Sequence, residues 1–226
     1  MGWLKYESSS QISEVQRLGK AWAPGALVAD QNLGSDAFRS TYGAIEQSYV
    51  PVRLSSVSAD LTFTNNGSTS VTVHKTGGSA AWNASAFSVD RFVAPITIEF
   101  VKVAPATNDS TAAAMIGFNQ SNTTVSYSDI DYAAYPYALD NWTVYHNGSS
   151  QGSQGSWTGS GSTINRITYT TDGYIKHFNG STQMYSVLWG TGYTVFLDMS
   201  IYSVNSTSGF SNIRLVTKEW NGTTYI

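Results

Sequence analysis

Cysteine is absent from the 226 residues, and charged residues are scarce. Without cysteine the chain has neither a disulfide framework nor a thiolate metal site. Only 12% of residues are Asp, Glu, Lys or Arg, against about 25% in an ordinary globular domain. The formal net charge is −3, and the chain lacks the clustered basic face that is typical of duplex nucleic-acid binders. We therefore predict no nucleic-acid partner.

Long apolar runs and a conventional leader are also missing. No segment approaches the ~20 apolar residues of a membrane-spanning helix. The first residues, MGWLKYESSSQISEVQ, lack the basic and apolar regions of a signal peptide. We therefore predict neither a membrane partner nor conventional secretion. The uncharged residues Ser, Thr, Asn and Gly are frequent instead of charged ones, and 13% of residues are aromatic. This mixture is typical of β-sheet proteins that work outside cells.

Residues 1–51 differ from the rest of the chain. Ile12, Val15 and Leu18 recur every three residues, which predicts a short helical stripe that ends at Gly19. Nothing in this region is long enough to form a domain. We predict an anchoring and assembly arm that contacts other subunits, with a flexible leader as the alternative.

From residue 52 onward the apolar pattern has a period of two. Ile96, Ile98 and Phe100 alternate with polar residues, and paired turn residues separate the strand-like runs: Asn66–Gly67, Asn147–Gly148, Asp172–Gly173 and Asn179–Gly180. About twelve short strands without intervening helices predict an all-β fold. We expect a two-sheet antiparallel jelly-roll β-sandwich over residues 52–226, preceded by an arm of short helical or irregular segments.

Several segments, in their order along the chain, carry a family resemblance: HKTGGSAAWNASAFS from His74, ITIEF, MIGF, SYSDIDYAAYPY, WTVYHNGS, GSW and TYTTDGYIKHFNGST. Over residues 55–217 the chain resembles the SPRY-like, concanavalin A-like jelly-roll domains of bacterial surface proteins and phage tail or fibre proteins. The resemblance implies a sandwich that presents a ligand site, usually for glycans or proteins. It does not imply one particular chemistry.

Two carboxylates, Asp129 and Asp131, stand two residues apart in SYSDIDYAAYPY. On a strand they would share a face, and a retaining glycosidase needs its two carboxyl groups about 5 to 5.5 Å apart. The laminarinase-like enzymes of the concanavalin fold carry an E-x-D-x-x-E strand. In this chain no glutamate lies close to Asp129 and Asp131 in the sequence. We favour strand aspartates that face solvent or bond loop amides, and we predict no enzymatic activity. Calcium bound by Asp129, Asp131 and Asp140 with loop carbonyls stays open.

Metal and nucleophile signals are weak elsewhere in the chain. His74, His146 and His177 stand at the ends of separate strand-like runs without a second ligand at metal spacing. A Ser-His-Asp triad cannot be read from sequence order, but there is no Gly-x-Ser-x-Gly elbow. We predict no catalytic residue, no metal site and no cofactor.

The aromatic residues are the strongest candidates for binding. If alternation places Ile130 and Tyr132 towards the core, Tyr135 and Tyr137 lie on the opposite face, and Tyr145 is opposite Trp142 and Val144. Trp157 lies in a loop of Gly, Ser and Gln, and this composition does not predict a core position for the tryptophan. The predicted ligand-binding residues are Trp157, Tyr135, Tyr137, Tyr145 and Asn147, whereas Trp82 is expected to plug one end of the sandwich.

These observations lead to a functional hypothesis with two alternatives. We expect a non-enzymatic adhesion module on a virion (a phage tail, fibre or capsid decoration), made in the host cytoplasm. It would bind a host surface glycan through sandwich loops, contact other virion subunits through residues 1–51, and form a homo-oligomer. The first alternative is a purely structural assembly subunit whose aromatic residues serve subunit contacts. The weaker alternative is a polysaccharide-degrading enzyme.

Overall fold

The structure, a computed structural model, describes residues 48–56, 58–66, 69–103, 112–137, 141–157, 163–204 and 209–218. The chain divides into two units. One unit spans Tyr49–Val216 and contains the two sheets described below. The other combines Met1–Ser48 with Thr217–Ile226. The predicted helical stripe at Ile12, Val15 and Leu18 lies outside the described residues, as does Asp140.

Strands make up nearly all of the regular structure. They are β1 Ser48–Pro51, β2 Leu54–Ser56, β3 Leu61–Asn66, β4 Ser70–Lys75, β5 Ala84–Ser88, β6 Phe92–Val93, β7 Ile96–Val103, β8 Ala114–Asn119, β9 Tyr132–Tyr137, β10 Asn141–His146, β11 Ser149–Ser153, β12 Asn165–Tyr169, β13 Tyr174–Asn179, β14 Thr182–Leu188, β15 Thr194–Ile201 and β16 Gly209–Lys218. One 3₁₀ turn, Tyr127–Asp129, precedes β9. Among the described residues no helix is long and apolar enough to span a membrane.

The strands form two eight-stranded sheets. Sheet A has the order β14-β13-β12-β7-β16-β4-β3, with β1 paired to β16. Sheet B has the order β11-β10-β9-β8-β15-β5-β2, with β6 paired to β15. Neighbouring strands run antiparallel, for example β15 with β8 and β12 with β7. The predicted all-β, two-sheet antiparallel jelly-roll sandwich is confirmed.

The first strand lies within the segment predicted to be an arm. β1 consists of Ser48–Pro51 and pairs with β16 in sheet A. The sandwich sheets therefore begin four residues before the expected boundary between residues 51 and 52.

The core fills the space between the two sheets. Sheet A contributes Ile98, Phe100 and Ile167, and sheet B contributes Ile116 and Leu197, all with no exposed surface. The predicted alternation in β7 is present, because Ile96, Ile98 and Phe100 are buried in this core. Burying apolar surface between sheets is the main driving force for the fold, at roughly 25 cal/mol per Å².

The hairpin between β10 and β11 follows the turn predicted from its sequence. Asn147 has φ 45° and Gly148 has φ 76°, so both turn residues are left-handed, as a two-residue type I′ hairpin requires. Gly148 is also required by space, since an added Cβ would lie 2.8 Å from the Cβ of Ser128. The turn thus places the end of β10 against the 3₁₀ turn that precedes β9.

Candidate functional site

Three predicted tyrosines come together on the outward face of sheet B. On β9, Ala134 and Pro136 are buried, so Tyr135 and Tyr137 face outward. The adjacent β10 buries Trp142 and Val144 in the main core and turns Tyr145 outward. We call Tyr135, Tyr137 and Tyr145 the tyrosine patch; all three rings are partly exposed.

The rings of the tyrosine patch contact one another. The centroid of Tyr135 lies 4.9 Å from that of Tyr137 and 5.7 Å from that of Tyr145. Tyr135 sits between the other two, and burial, reinforced by the neighbouring tyrosines, raises its pKa well above the ordinary value. Its hydroxyl therefore stays protonated at physiological pH and remains available as a hydrogen-bond donor.

A second layer of aromatic residues supports the tyrosine patch. Trp82 lies 6.0 Å from Tyr135, 4.8 Å from Tyr127 and 5.4 Å from Tyr202, measured between ring centroids. Tyr127 in turn lies 5.6 Å from Tyr145. Trp82 therefore packs against the aromatic side chains on the outward face of sheet B. Its expected position was at one end of the sandwich, and this contact was not predicted from the sequence.

A buried lysine fixes the loop that carries Trp82. The Lys75 ammonium donates hydrogen bonds to the carbonyls of Ser79 and Ala81 at 2.7 and 2.8 Å, and to Asn83 Oδ1 at 2.6 Å. A longer bond of 3.2 Å joins it to the carbonyl of Tyr202. Burial lowers the pKa of Lys75, although Asp60 opposes the shift. Lys75 thus ties β4 to the loop before β5 and so positions the tryptophan.

Neutral polar side chains border the tyrosine patch. Asn141 on β10 is the register partner of Tyr137, and Thr143 is that of Tyr135. Ser153 on β11 donates its hydroxyl hydrogen to Asn141 Oδ1. Amides and hydroxyls beside aromatic rings are the usual polar complement of a small-molecule site.

Asn147, the fourth predicted site residue, lies apart from Tyr137. It belongs to the exposed turn after β10, and its backbone N–H donates to the Asp131 carbonyl at 3.2 Å. Asn147 follows Asn141 by six residue steps along the extended strand, which corresponds to roughly 20 Å at about 3.3 Å per residue. Asn147 therefore borders Tyr145 and is distant from the Tyr137 end of the patch.

The prediction of Trp157 as an open ligand-binding ring was wrong. Trp157 is only 3% exposed and belongs to the main core between the sheets. The loop composition was misleading, because the chain returns to the sandwich after β11 and buries the indole there. Its surface is unavailable to a glycan.

Asp129 and Asp131 hold a loop together. Asp129 lies in the 3₁₀ turn and Asp131 directly precedes β9, so they do not share a strand face as the strand interpretation assumed. Asp129 Oδ2 accepts from the backbone N–H groups of Thr123 and Thr124 at 2.6 and 3.0 Å. Asp131 Oδ2 accepts from the N–H of Gln120 at 2.9 Å. The bonds to loop amides confirm one part of the favoured interpretation, and its placement of both aspartates on a strand was wrong.

The pKa values of the two carboxyls move in opposite directions. Burial tends to raise the pKa of Asp129, but the hydrogen bonds from Thr123 and Thr124 outweigh it and lower the pKa. For Asp131, burial dominates and raises the pKa, with the Asp129 charge adding to it and the Gln120 bond opposing it.

Ile130 also departs from its predicted position. It packs with Met115 and Ala133 in a small cluster on the outward side of sheet B, whereas Tyr132 packs against the main core. The two residues face different ways because Ile130 precedes the strand. The opposite orientation of Tyr132 and Tyr135 is as predicted.

Two histidines that are distant in sequence approach each other between the sheets. His146 on β10 and His177 on β13 lie 5.5 and 6.0 Å from the Tyr185 ring centroid. Burial lowers the pKa of both, and that of His177 falls to about 3, with a smaller contribution from His146. Among the described residues no three His, Asp or Glu side chains are grouped so that they could hold a metal ion. The packing of sheet A on sheet B brings these histidines together, and no local sequence signal reports it.

Comparison with solved structures shows similar sandwiches. The SPRY domain of human HERC1 matches with 13% identity and a TM-score of 0.47, covering 72% of this chain and 96% of that one. The carbohydrate-binding module CBM66 from Bacillus subtilis matches with 12% identity and a TM-score of 0.43, covering 72% and 92%. Bacillus licheniformis beta-glucanase matches with 8% identity and a TM-score of 0.41, covering 78% and 100%.

The three identities lie below 25% and the three TM-scores below 0.5, so these matches carry no argument about the function of this chain. No protein-family model and no curated protein sequence matches the chain.

Proposed function

We propose that the chain is a non-enzymatic carbohydrate-binding module that holds a glycan on the tyrosine patch. The observation that carries the proposal is the convergence of Tyr135, Tyr137 and Tyr145 on one outward sheet face. A sugar ring has apolar C–H faces that pack on aromatic rings, and its hydroxyls bond amides and hydroxyls such as those of Asn141 and Ser153.

The preorganised geometry of the patch supports this function. Trp82 and Tyr127 hold the tyrosine rings from one side, so little side-chain entropy is lost when a ligand packs on them. The rings lie on strands near the sheet edge formed by β11, which suits lateral contact with an extended polysaccharide. No charged side chain of β9 or β10 faces outward with them, and this favours neutral sugar units at the patch.

The test is binding of the full-length protein to an array of bacterial surface polysaccharides. Tyr137→Ala and Tyr145→Ala should each weaken binding about tenfold, the equivalent of about 1.4 kcal/mol of lost ring contact. Tyr174→Ala is the matched control, because Tyr174 is a partly buried tyrosine on β13 in the other sheet. The control variant should bind like the native protein.

Two outcomes would contradict the proposal. Binding that survives both patch variants would place the site elsewhere on the protein. Absence of binding to any polysaccharide, together with a smaller particle mass for Tyr137→Ala, would favour the structural assembly subunit, with the patch as a subunit contact.

We further propose that the module acts in host attachment on a phage virion, tied to other subunits through residues 1–51. The low charge, the hydroxyl-rich composition and the family resemblance support this role. Display of many copies would let each site be weak, since avidity adds a factor of about 10² to 10⁴. A chain that begins at Ser48 should keep its glycan affinity and lose self-association in light scattering; an unchanged mass would contradict the arm's role.

A further inference from the structure

A groove of about 520 Å³ lies on sheet B beside β5 and β15. Its floor includes Phe87 and Phe196, whose ring centroids are 6.2 Å apart at an interplanar angle of 65°. Both rings lie on the outward side of the sheet, because Ala86, Val195 and Leu197 next to them are buried in the inter-sheet core. Phe87 is partly exposed, whereas Phe196 is only 4% exposed and forms the base under the groove floor. The groove volume falls within the range of about 300–1,000 Å³ that is typical of small-molecule sites.

The wall opposite the two phenylalanines is held in place. It consists of residues 122–125, whose backbone is fixed at Thr123 and Thr124 by hydrogen bonds to Asp129. Ser200 on β15 donates its hydroxyl hydrogen to the Val125 carbonyl at 2.9 Å. The groove is therefore preformed, and a ligand need not organise it.

Arg91 supplies a positive charge at the groove. Its guanidinium carbon lies 5.5 Å from the centroid of the Phe196 ring. The adjacent Asp90 accepts hydrogen bonds from Arg53 instead, and within the described residues no carboxylate forms an ion pair with Arg91. Arg91 is exposed and presents a planar fork of N–H donors, which matches a carboxylate in a bidentate arrangement.

We propose that this groove binds a sugar unit that carries a carboxylate on its ring, such as a uronic acid. The apolar face of the sugar packs on the partly exposed Phe87 ring, and the carboxylate bonds the exposed Arg91. The anion is attached directly to the ring, because Phe87 and Arg91 line the same groove of about 520 Å³. Asn122 and Thr124 line the groove and provide amide and hydroxyl groups for the sugar hydroxyls.

This inference rests on the proposed glycan-binding function for the class of ligand, but it uses a different set of residues. The groove and the tyrosine patch lie on the outward face of the same sheet, on β5 and β15 in one case and on β9 and β10 in the other. A polysaccharide with both neutral and acidic units would thus contact both surfaces. The tyrosine patch would bind the neutral units and the groove the acidic ones.

The experiment is calorimetric titration of the full-length protein with a short oligogalacturonate and with the neutral oligogalactoside of equal length. The native protein should prefer the acidic probe about tenfold, as expected for one charge-assisted hydrogen-bonded contact. The preference should shrink at high salt, because exposed charges are screened. Arg91→Gln should abolish the preference, and Arg91→Lys should retain part of it.

Arg166→Gln is the matched control. Arg166 also lies over a phenylalanine, with its guanidinium carbon 4.9 Å from the Phe178 ring centroid, but it belongs to sheet A. This variant should keep the preference for the acidic probe. A preference that survives Arg91→Gln, or that Arg166→Gln removes equally, would overturn the inference.

Failure of the groove is distinguishable from failure of the tyrosine patch. If oligogalacturonate does not bind the native protein, the groove proposal is wrong, whereas loss of polysaccharide binding in Tyr137→Ala would still support the patch. Conversely, oligogalacturonate binding that depends on Arg91 would support the groove, and binding of neutral oligogalactoside that is unaffected by Tyr137→Ala would contradict the patch.

Discussion

Replacing His177 with phenylalanine should remove a pH dependence of stability that the native protein shows between pH 8 and pH 5. His177 has no exposed surface, and neither ring nitrogen has a hydrogen-bond partner among the described residues. The titratable groups in ring contact around it are Tyr185, which is its register partner, and His146, which contacts the same tyrosine. An imidazolium in this position would have no counter-charge, so burial lowers the pKa of His177 to about 3.

The magnitude follows from the difference between the folded and unfolded pKa values. Above pH 6.5 the imidazole is neutral in both states and contributes nothing to the pH dependence. As the pH falls below 6.5 the unfolded chain binds a proton that the folded protein does not, so stability decreases. With pKa values of 6.5 and about 3, the loss from pH 8 to pH 5 is about 2 kcal/mol.

Other groups add to the total pH profile, so the measured quantity is a difference between two proteins. His146 acts in the same direction, because burial lowers its pKa too. Asp198 acts in the opposite direction: burial, opposed by bonds from Asn119, Met199 and Ser85, raises its pKa to about 7. The folded state therefore holds that proton, and stability contributed by Asp198 is lost as the pH rises through 7. These contributions cancel when the native protein is compared with His177→Phe at each pH.

The assay is urea unfolding followed by tryptophan fluorescence at several pH values from 8 to 5. The gap between His177→Phe and the native protein should widen in favour of the variant by about 2 kcal/mol over this range. Ile175→Val, a core substitution on the same strand, serves as control and should cost about 0.5–1.5 kcal/mol at every pH. A gap that stays constant with pH, or an NMR titration of His177 near pH 6.5, would refute the reasoning.

Three further predictions concern the core and the loops that support the candidate site. Trp157→Ala should lower the free energy of unfolding by about 3–5 kcal/mol and leave glycan affinity unchanged in the array; an unfolding energy like the native one would contradict its buried position. Lys75→Met should lower the free energy of unfolding by about 1–3 kcal/mol, because it leaves buried carbonyls without a donor. Hydrogen exchange should accelerate in residues 76–83; unchanged exchange would show that Lys75 does not hold this loop. Asp129→Asn should lower the free energy of unfolding by about 1–2 kcal/mol, because it weakens the bonds to Thr123 and Thr124. It should not change the amount of reducing sugar ends released from polysaccharide; a release by the native protein that disappears in the variant would point to hydrolytic activity.

The candidate site was predictable where strand alternation governs it. Tyr135 and Tyr137 face away from Tyr132, and Tyr145 faces away from Trp142 and Val144, as a period of two requires. Their convergence also depends on the pairing of β9 with β10, two strands close in sequence. Neighbouring strands of a hairpin are the easiest pairs to infer.

The site residues that sequence reasoning misplaced depend on where their loops lie against the sandwich. Trp157 is buried because the chain returns to the inter-sheet core, and its Gly, Ser and Gln neighbours carry no sign of this. Asp129 was expected on a strand, but bonds to the amides of Thr123 and Thr124 stabilise a loop and a 3₁₀ turn instead. A carboxylate can stabilise either structure, and only the position of the loop over sheet B decides between them.

The sequence by itself determined the all-β class, the hairpin turns and the faces of the strands. These properties arise from local physics, namely the left-handed conformations of Asn–Gly and Asp–Gly turns and the alternation of side chains along a strand. The tertiary structure alone decided which strands are neighbours, such as β15 between β8 and β5. That order brings Phe87 to Phe196, and the packing of one sheet on the other brings His146 to His177. These contacts join residues far apart in sequence. Their free energy depends on burial, either between the two sheets or on the outward face of sheet B, and no local sequence pattern encodes that burial.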